Sequence, residues 1–222
     1  MTFRYDFVPT PLGEALVILS DDGLATFDLL DGVERGTPWL LEGVSRRLGA
    51  LPELVPGAAD ETRALLDAYF EGEPVRFHEE LRLDWRLIEG FPRQALQAIC
   101  EIPWGETASY GEVAVHAGSP GAARAVGTAC RLTPFSIVVP VHRVVRADGS
   151  PGQYGAHPEH KLFLLDLEKE AARSRGGGGG GGGGARPPPP PPPAPPPTTR
   201  AASHRRRGHR SRRHGGGSLV AT

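Results

Sequence analysis

The residues best suited to chemistry lie around His142, in the segment Pro140-Val141-His142-Arg143-Val144. The apolar run Ile137-Val138-Val139 precedes this segment and predicts a buried strand that leads into a polar loop. An imidazole can take up or release a proton near neutral pH. A histidine at the end of a core strand is, however, more often a structural hydrogen-bonding residue than a catalyst. Its position alone leaves both interpretations open.

A second candidate is the segment Gly121-Ala122-Ala123-Arg124-Ala125-Val126-Gly127, in which small residues surround a single arginine. Small side chains allow a backbone to come close to a groove, and the planar guanidinium of Arg124 could then stack and donate several hydrogen bonds. The same small residues would also serve tight helix packing. The segment by itself is therefore only a weak indication of a binding surface.

Capping signals predict the helices that position these segments. Ser109-Tyr110-Gly111-Glu112 has the form of a capping box, which predicts a helix from Tyr110 to about Ala117. Ser119-Pro120-Gly121 predicts a second cap and a helix over Gly121–Cys130. Two short helices joined by a tight turn are typical of a helix-turn-helix unit. A core helix from Phe91 to about Ile102 precedes them.

The first half of the chain predicts a small α/β domain. Alternating segments at Phe3–Val8, Ala15–Leu19 and Leu24–Leu29 predict an antiparallel sheet, and Trp39–Leu48 and Ala59–Phe70 have helical patterns. Residues 77–87 are predicted to be extended or irregular. The predicted organisation is an α/β N-terminal domain over residues 1–88, a mostly α, winged helix-turn-helix-like DNA-binding domain over 89–170, and a disordered tail over 171–222. We expect the first domain to stabilise the second.

Several motifs in the second half share their order and spacing with one protein family. They are Ile102-Pro103-Trp104-Gly105-Glu106-Thr107, Ser109-Tyr110-Gly111-Glu112, Ala122-Ala123-Arg124-Ala125-Val126-Gly127, Pro140-x-His142-Arg143-Val144, Gly152-Gln153-Tyr154-Gly155, and Lys161 with Leu164-Leu165-Asp166-Leu167-Glu168. Over residues 91 to about 168 the chain thereby resembles the C-terminal domain of the O6-alkylguanine-DNA alkyltransferases. Thr10-Pro11-Leu12-Gly13 and Gly23-Leu24 extend the resemblance into the N-terminal half.

This resemblance implies that the protein binds the DNA minor groove and rotates a damaged guanine out of the base stack. By motif position, Arg124 would enter the stack and Tyr110 would displace the backbone phosphate. The DNA-contacting residues implied in this way are Tyr110, Ala122, Ala123, Arg124, Gly127 and Arg131. The implied base pocket comprises Cys130, the backbone at Val144, Tyr154 and Gly155.

The resemblance also exposes a substitution at the reactive position. The family's Pro-Cys-His-Arg motif supplies a cysteine whose thiolate forms through the following histidine and a distant glutamate. His142 and Glu168 match the two supporting positions, but Val141 stands in place of the cysteine. An isopropyl group cannot ionise or attack an alkyl carbon, so no functional catalytic residue is expected. Thr133, where the family usually has asparagine, is a further departure.

Three functions follow as hypotheses from these residues. The first is a non-catalytic sensor of alkylated bases, similar to the alkyltransferase-like proteins that hand lesions to excision repair. The second is a methyltransferase that uses Cys130 as a substitute acceptor, with an ordinary thiol pKa of about 8.5. The third is a repurposed protein that binds DNA or a protein partner without lesion selectivity.

Composition indicates a cellular location, the partners and the surface charge of the protein. Cys100 and Cys130 give no disulfide framework and no metal-ligand spacing, so we expect a cytoplasmic, nucleoid-associated protein without cofactor or metal. Double-stranded DNA, especially alkylated DNA, and excision-repair proteins are the expected partners of a monomer. No acidic residue occurs from Val113 to Ala147, whereas Arg124, Arg131, Arg143 and Arg146 do, which predicts a positive face.

The last fifty residues differ in composition from the rest of the chain. Nine consecutive glycines (Gly176–Gly184) are followed by proline runs and then by six arginines between Arg205 and Arg213. Such a composition cannot bury a core and predicts a tether that carries a basic arm. A dispensable extension is the competing interpretation.

Deletion of residues 173–222 is predicted to weaken non-specific DNA binding in a salt-dependent way. If about four phosphates are contacted, the slope of log affinity against log salt concentration should fall in magnitude by roughly 3–4 units. Preference for damaged DNA should hardly change, because phosphate contacts carry no base information. The measurement is a salt titration of both proteins on damaged and undamaged duplex, and identical slopes would show that the arginines do not contact DNA.

Overall fold

The computed structural model describes residues 2–30, 36–152, 154 and 157–176, without the side chains of 36–40 and 176. The predicted pocket residue Gly155 and the predicted tail from residue 177 onward lie outside these described residues. Within them, no helix is long and apolar enough to cross a membrane.

The N-terminal sheet has three long strands and one short one. Strand β1 (Phe3–Thr10) pairs antiparallel with β2 (Gly13–Ser20), and β2 pairs antiparallel with β3 (Gly23–Leu29), as the alternating pattern predicted. A two-residue strand β4 (Glu53–Leu54) adds to β1 in parallel, so the sheet is mixed, in the order β3-β2-β1-β4. Two residues are too few to leave a periodic signal, which is why the sequence did not predict β4.

Most of the chain between β3 and the second half of the protein forms helices. Helix α1 (Gly36–Leu48) and helix α2 (Asp60–Phe70) agree with the predicted helical patterns. The prediction that residues 77–87 are extended or irregular is wrong in part, since they contain a short helix α3 (Phe77–Glu80) and a 3-10 helix over Trp85–Leu87. Side chains stabilise this 3-10 helix locally, because the Asp84 carboxylate accepts a hydrogen bond from the Arg86 amide at 3.2 Å.

In the second half, helix α4 (Phe91–Cys100) is followed by the pair α5 (Tyr110–His116) and α6 (Ala123–Leu132). The capping box at the start of α5 is confirmed: the Glu112 amide donates to the Ser109 hydroxyl at 3.2 Å, and the Ser109 amide donates to the Glu112 carboxylate at 2.6 Å. The predicted cap of α6 is wrong. Gly121 has a φ of 89°, outside helical geometry, so the helix begins two residues later without a side-chain cap.

The apolar run Ile137-Val138-Val139 is buried, but it does not form the predicted strand. Ile137 adopts a φ of 65°, and the run folds as consecutive turns. Its preceding segment is attached to β3, because the Phe27 amide donates to the Pro134 carbonyl at 2.7 Å and the Ser136 amide donates to the Phe27 carbonyl at 3.1 Å. Periodicity shows that such a run is buried but does not distinguish a strand from a buried turn.

The predicted polar loop around His142 is also wrong. Residues Val141–Arg143 form a buried 3-10 turn, which leads into the two-residue strand β6 (Val144–Val145). Strand β6 pairs in parallel with β5 (Ala108–Ser109), directly before helix α5. This short ladder therefore connects the His142 turn to the start of the α5–α6 pair.

One buried apolar cluster joins both halves across the predicted boundary at residue 88. It contains Phe27, Tyr69, Leu96 and Phe135 among others. Helix α7 (Pro158–Gly176) closes the described part of the chain and continues past residue 171, where the tail was predicted to begin. An ion pair at 2.8 Å between Arg175 and Glu73 holds this last turn of the helix.

Candidate functional site

A buried carboxylate on helix α7 organises the site. Glu168 is 1% exposed and accepts hydrogen bonds from four residues. These are the Tyr69 hydroxyl at 2.8 Å, the His142 Nε2 at 2.8 Å, the Arg143 guanidinium at 2.9 to 3.2 Å, and the Gly105 amide at 3.1 Å. Helix α2, the His142 turn and the loop after α4 are thereby tied to α7.

Glu168 is ionised in this environment. Burial alone would raise the pKa of its carboxyl group, but hydrogen bonds from His142 and Arg143 and the charge of Arg143 outweigh burial and lower the pKa to about 2. Arg143 is itself buried, and it also donates to the Ile102 carbonyl at 2.7 Å. The sequence placed Arg143 on a positive face. That expectation is wrong, because its guanidinium neutralises Glu168 in the interior.

His142 is neutral and has a defined tautomer. Its ring is fully buried, and burial lowers its pKa against the opposing effect of Glu168. A carboxylate can only accept, so Nε2 carries the proton that it shares with Glu168. Nδ1 is therefore an acceptor, and among the described residues it has no hydrogen-bond partner. The turn thus presents a proton acceptor that nothing in the described structure uses.

Val141 precedes this histidine and lines a pocket of about 590 Å³. The walls come from β3, from helices α5 and α6, from the loop around Gly152 and from the start of α7. The lining residues are Leu29, Tyr110, Arg124, Gly127, Thr128, Cys130, Arg131, Thr133, Ser136, Val141, Arg146, Gly152, Tyr154, His157 and His160. This volume lies within the range of small-molecule sites.

Three exposed arginines, Arg124, Arg131 and Arg146, contribute to this pocket, and none of its described lining residues is acidic. The positive face that the sequence predicted therefore consists of these three guanidinium groups without Arg143. The arrangement suits a polyanion that approaches the pocket opening.

Tyr110 is held between two glycines at the pocket wall. A Cβ atom on Gly127 would lie 3.8 Å from the tyrosine ring, and one on Gly152 would lie 3.1 Å from its hydroxyl oxygen. Gly152 also has a φ of 68°, which other residues rarely adopt. Gly127 of helix α6 accordingly packs close to Tyr110, while Arg124 is exposed. The packing interpretation is confirmed at Gly127, and the role of Arg124 in a groove stays a prediction.

Cys130 lines the pocket together with Val141, but its thiol is not activated. Burial raises its pKa to about 12, and the nearby Lys161 ammonium offsets only part of this effect. The expected ordinary pKa of about 8.5 is therefore wrong. A thiol in this environment holds almost no thiolate at neutral pH.

Of the other residues predicted for the site, Tyr154 lines the pocket, whereas Val144, Ala122 and Ala123 do not. The Tyr154 hydroxyl is buried, and burial raises its pKa against the opposing effect of a backbone hydrogen bond with Ile137. Val144 does not line the pocket, and its carbonyl accepts a hydrogen bond from Lys161 Nζ at 2.5 Å. Ala122 and Ala123 precede Arg124 at the start of α6 without lining the pocket.

Sequence reasoning missed several contributors. Tyr69 lies 99 residues before its partner Glu168, and only the packing of α2 against the His142 turn brings them together. Ser136, Thr128, Gly152, His157 and His160 also line the pocket. The histidines follow closely after the recognised Gly152-Gln153-Tyr154-Gly155 motif, which was the one available signal for them.

Replacement of Glu168 by glutamine is predicted to destabilise the fold by about 3–5 kcal/mol, since Arg143 is left as an uncompensated buried charge. Urea denaturation at pH 7 measures this. Glu42→Gln, in an exposed pair with Arg46, is the matched control and should cost less than about 1 kcal/mol. A cost for Glu168→Gln within that control range would contradict the assigned role.

The same network predicts loss of stability in acid. The unfolded chain takes up protons at ordinary pKa values, whereas folding lowers the pKa of both Glu168 and His142. The stability that these two groups contribute should therefore be fully present above pH 6.5, the ordinary pKa of His142. It should fall as the pH decreases, and the Glu168 contribution should be lost between about pH 4.5 and pH 2. Urea midpoints measured across this range should fall continuously, and a rise towards acid would contradict the assignment.

Comparison with known proteins agrees with this architecture. The family model described as 6-O-methylguanine DNA methyltransferase, DNA binding domain, matches residues 90–170. The methylated-DNA–protein-cysteine methyltransferase of Mycobacterium leprae is 49% identical over 123 residues, which cover 55% of this chain and 72% of that protein. That of Methanosarcina barkeri is 34% identical over 172 residues, which cover 76% and 99% of the two chains.

Solved structures show the same fold. The crystal structure of Mycobacterium tuberculosis OGT in complex with DNA matches with a TM-score of 0.61 and 34% sequence identity, over 77% of this chain and 94% of that one. Sequence and fold thus agree over both halves of the described protein. This chain belongs to the 6-O-methylguanine DNA methyltransferase family.

Proposed function

We propose that this protein recognises O6-alkylguanine-type damage in double-stranded DNA by receiving the flipped base in its pocket, and that it leaves the alkyl group on the base. The observation that carries the proposal is Val141. It lines the pocket at the position directly before the buried His142–Glu168 pair, where the family resemblance implies the acceptor cysteine. Valine has no atom that can take an alkyl group.

Recognition does not require the missing thiol. Base flipping costs only a few kcal/mol, and insertion of Arg124 together with stacking of the base can offset this cost. Arg124 is exposed at the pocket and Tyr110 forms its wall, as these roles require. The three arginines of the opening attract phosphates, and the pocket volume of about 590 Å³ can hold a purine base.

The His142–Glu168 pair forms a proton relay that lacks a proton donor at position 141. His142 offers an unprotonated Nδ1, which is the form needed to accept a proton from a neighbouring thiol. With valine at position 141 this acceptor has no proton to receive. The relay is retained as part of the fold because Glu168 and Arg143 depend on the same hydrogen bonds.

A methyltransferase that uses Cys130 is the second candidate, because the Cys130 side chain lines the same pocket and the relatives are named as methyltransferases. Its raised pKa of about 12 argues against it. The third candidate, a DNA-binding or protein-binding relative without lesion selectivity, predicts equal binding of damaged and undamaged duplex.

Recognition without transfer also has consequences for the partners of the protein. A protein that holds a lesion without repairing it needs a later reaction that removes the damaged nucleotide, so we propose excision-repair proteins as partners. We propose that this protein acts as a monomer at the nucleoid in the cytoplasm.

Restoring the thiol is predicted to restore chemistry. Val141→Cys should accept one labelled methyl group per protein from O6-methylguanine duplex, because His142 and Glu168 are already in place to generate the thiolate. The wild type should accept none. Label on the protein after denaturation and removal of the DNA measures the transfer.

Two controls make this test specific. Val141→Ser introduces a side chain of about the size of cysteine without a thiol and should stay unlabelled. Val141→Cys combined with Glu168→Gln should lose most of the gain, with labelling expressed per folded protein because this change also destabilises the fold. Stoichiometric labelling of the wild type would overturn the proposal. Loss of that labelling in Cys130→Ser would then identify Cys130 as the acceptor.

Arg124→Ala is predicted to weaken binding of O6-methylguanine duplex by roughly 1–3 kcal/mol, the size expected for one stacked or base-contacting residue. Tyr110→Phe should also weaken it. Arg93→Ala removes an exposed arginine that does not line the pocket, so it serves as the matched control. Fluorescence anisotropy gives the affinities. Unchanged binding in both Arg124→Ala and Tyr110→Phe would mean that helices α5 and α6 do not contact DNA in this way.

A further inference from the structure

A cluster of metal-binding side chains lies at the start of helix α7, outside the His142–Glu168 network. His157, Glu159 and His160 each offer one ligand atom, and these atoms lie within 4.8 Å of one another. The His157 Nδ1 is already 2.7 Å from a carboxylate oxygen of Glu159. Cysteine spacing did not predict such a site, and no metal was expected from the amino-acid sequence.

The local backbone holds the two imidazoles side by side. The His160 amide donates to the His157 carbonyl at 3.1 Å, and the His157 amide donates to the Tyr154 carbonyl at 3.2 Å. The rings stack with their centroids 4.8 Å apart and their planes inclined by 19°. His160 is 8% exposed, whereas the Glu159 side chain is 63% exposed and can move.

We propose that His157, Glu159 and His160 bind a zinc-like divalent cation at the wall of the base pocket. Two imidazoles and one carboxylate are a donor set that zinc accepts, and three protein ligands leave a fourth position open to water or to a group that enters the pocket. Both histidines line that pocket. The site does not depend on whether Val141 prevents alkyl transfer.

The geometry requires the ligand side chains to turn, because the nearly parallel imidazole planes direct their nitrogen lone pairs along nearly parallel planes. Ligand atoms around a tetrahedral zinc lie about 3.3–3.4 Å apart, as follows from zinc–ligand distances of about 2.0–2.1 Å. The widest separation of 4.8 Å must therefore shorten by about 1.4 Å, which rotation of the partly exposed His157 ring and the exposed Glu159 side chain towards His160 can supply.

The test is zinc titration of the metal-free full chain by calorimetry, with cobalt absorption as a second readout of tetrahedral coordination. His204, His209 and His214 of the tail are replaced by alanine in every protein, because they could also bind metal. This protein should bind one equivalent of zinc. His157→Ala and His160→Ala should each weaken binding by at least about tenfold, given that even outer-shell partners contribute that much.

His116→Ala is the matched control, because His116 also lies one helical turn from a glutamate, Glu112, but belongs to no such cluster among the described residues. It should leave zinc affinity unchanged. Absence of zinc binding, or binding that survives both His157→Ala and His160→Ala, would overturn the proposal. Lesion binding is measured separately in the presence of a chelator, so that a failure of zinc binding is distinguished from a failure of lesion recognition.

Discussion

The structure of the site depends on one buried carboxylate. Glu168 brings together Tyr69 from helix α2, His142 and Arg143 from the central turn, and Gly105 from the loop after α4. An ionised group in the interior is tolerated only when its charge is compensated and its oxygen atoms accept hydrogen bonds, and both conditions are met here. The turn that carries Val141 is fixed by the same contacts. The contacts that compensate the Glu168 charge thus also hold Val141 at the pocket wall.

The same contacts make the His142–Glu168 pair part of the fold. A cysteine at position 141 would use His142 and Glu168 for chemistry, but Arg143 and Tyr69 need Glu168 for stability in any case. Removal of the carboxylate would leave buried donors unpaired, whereas the valine side chain at position 141 has no donor or acceptor that needs a partner. The fold therefore keeps the His142–Glu168 pair in place whichever residue occupies position 141.

Local signals predicted much of the fold, and the errors have identifiable causes. Alternation placed β1 to β3 correctly, and the Ser109–Glu112 capping box placed the start of α5, because these features depend on neighbours in sequence. The predicted strand at 137–139 failed because an apolar run shows burial and not conformation. Arg143 and Tyr69 were misjudged or missed because their roles depend on a partner brought near by tertiary packing. The family motifs supplied what periodicity could not, namely that Val141, His142 and Glu168 belong to one site.

Recognition without transfer is tested most directly by the affinity of the wild-type protein for duplex that contains one O6-methylguanine, compared with the same duplex that contains guanine. The measurement is made at one salt concentration, and the DNA is recovered afterwards for analysis of its methyl group. We predict at least about tenfold tighter binding to the damaged duplex, a difference of about 1.4 kcal/mol, with the methyl group still on the guanine. Equal affinities, or recovered DNA that has lost its methyl group to the protein, would contradict recognition without transfer.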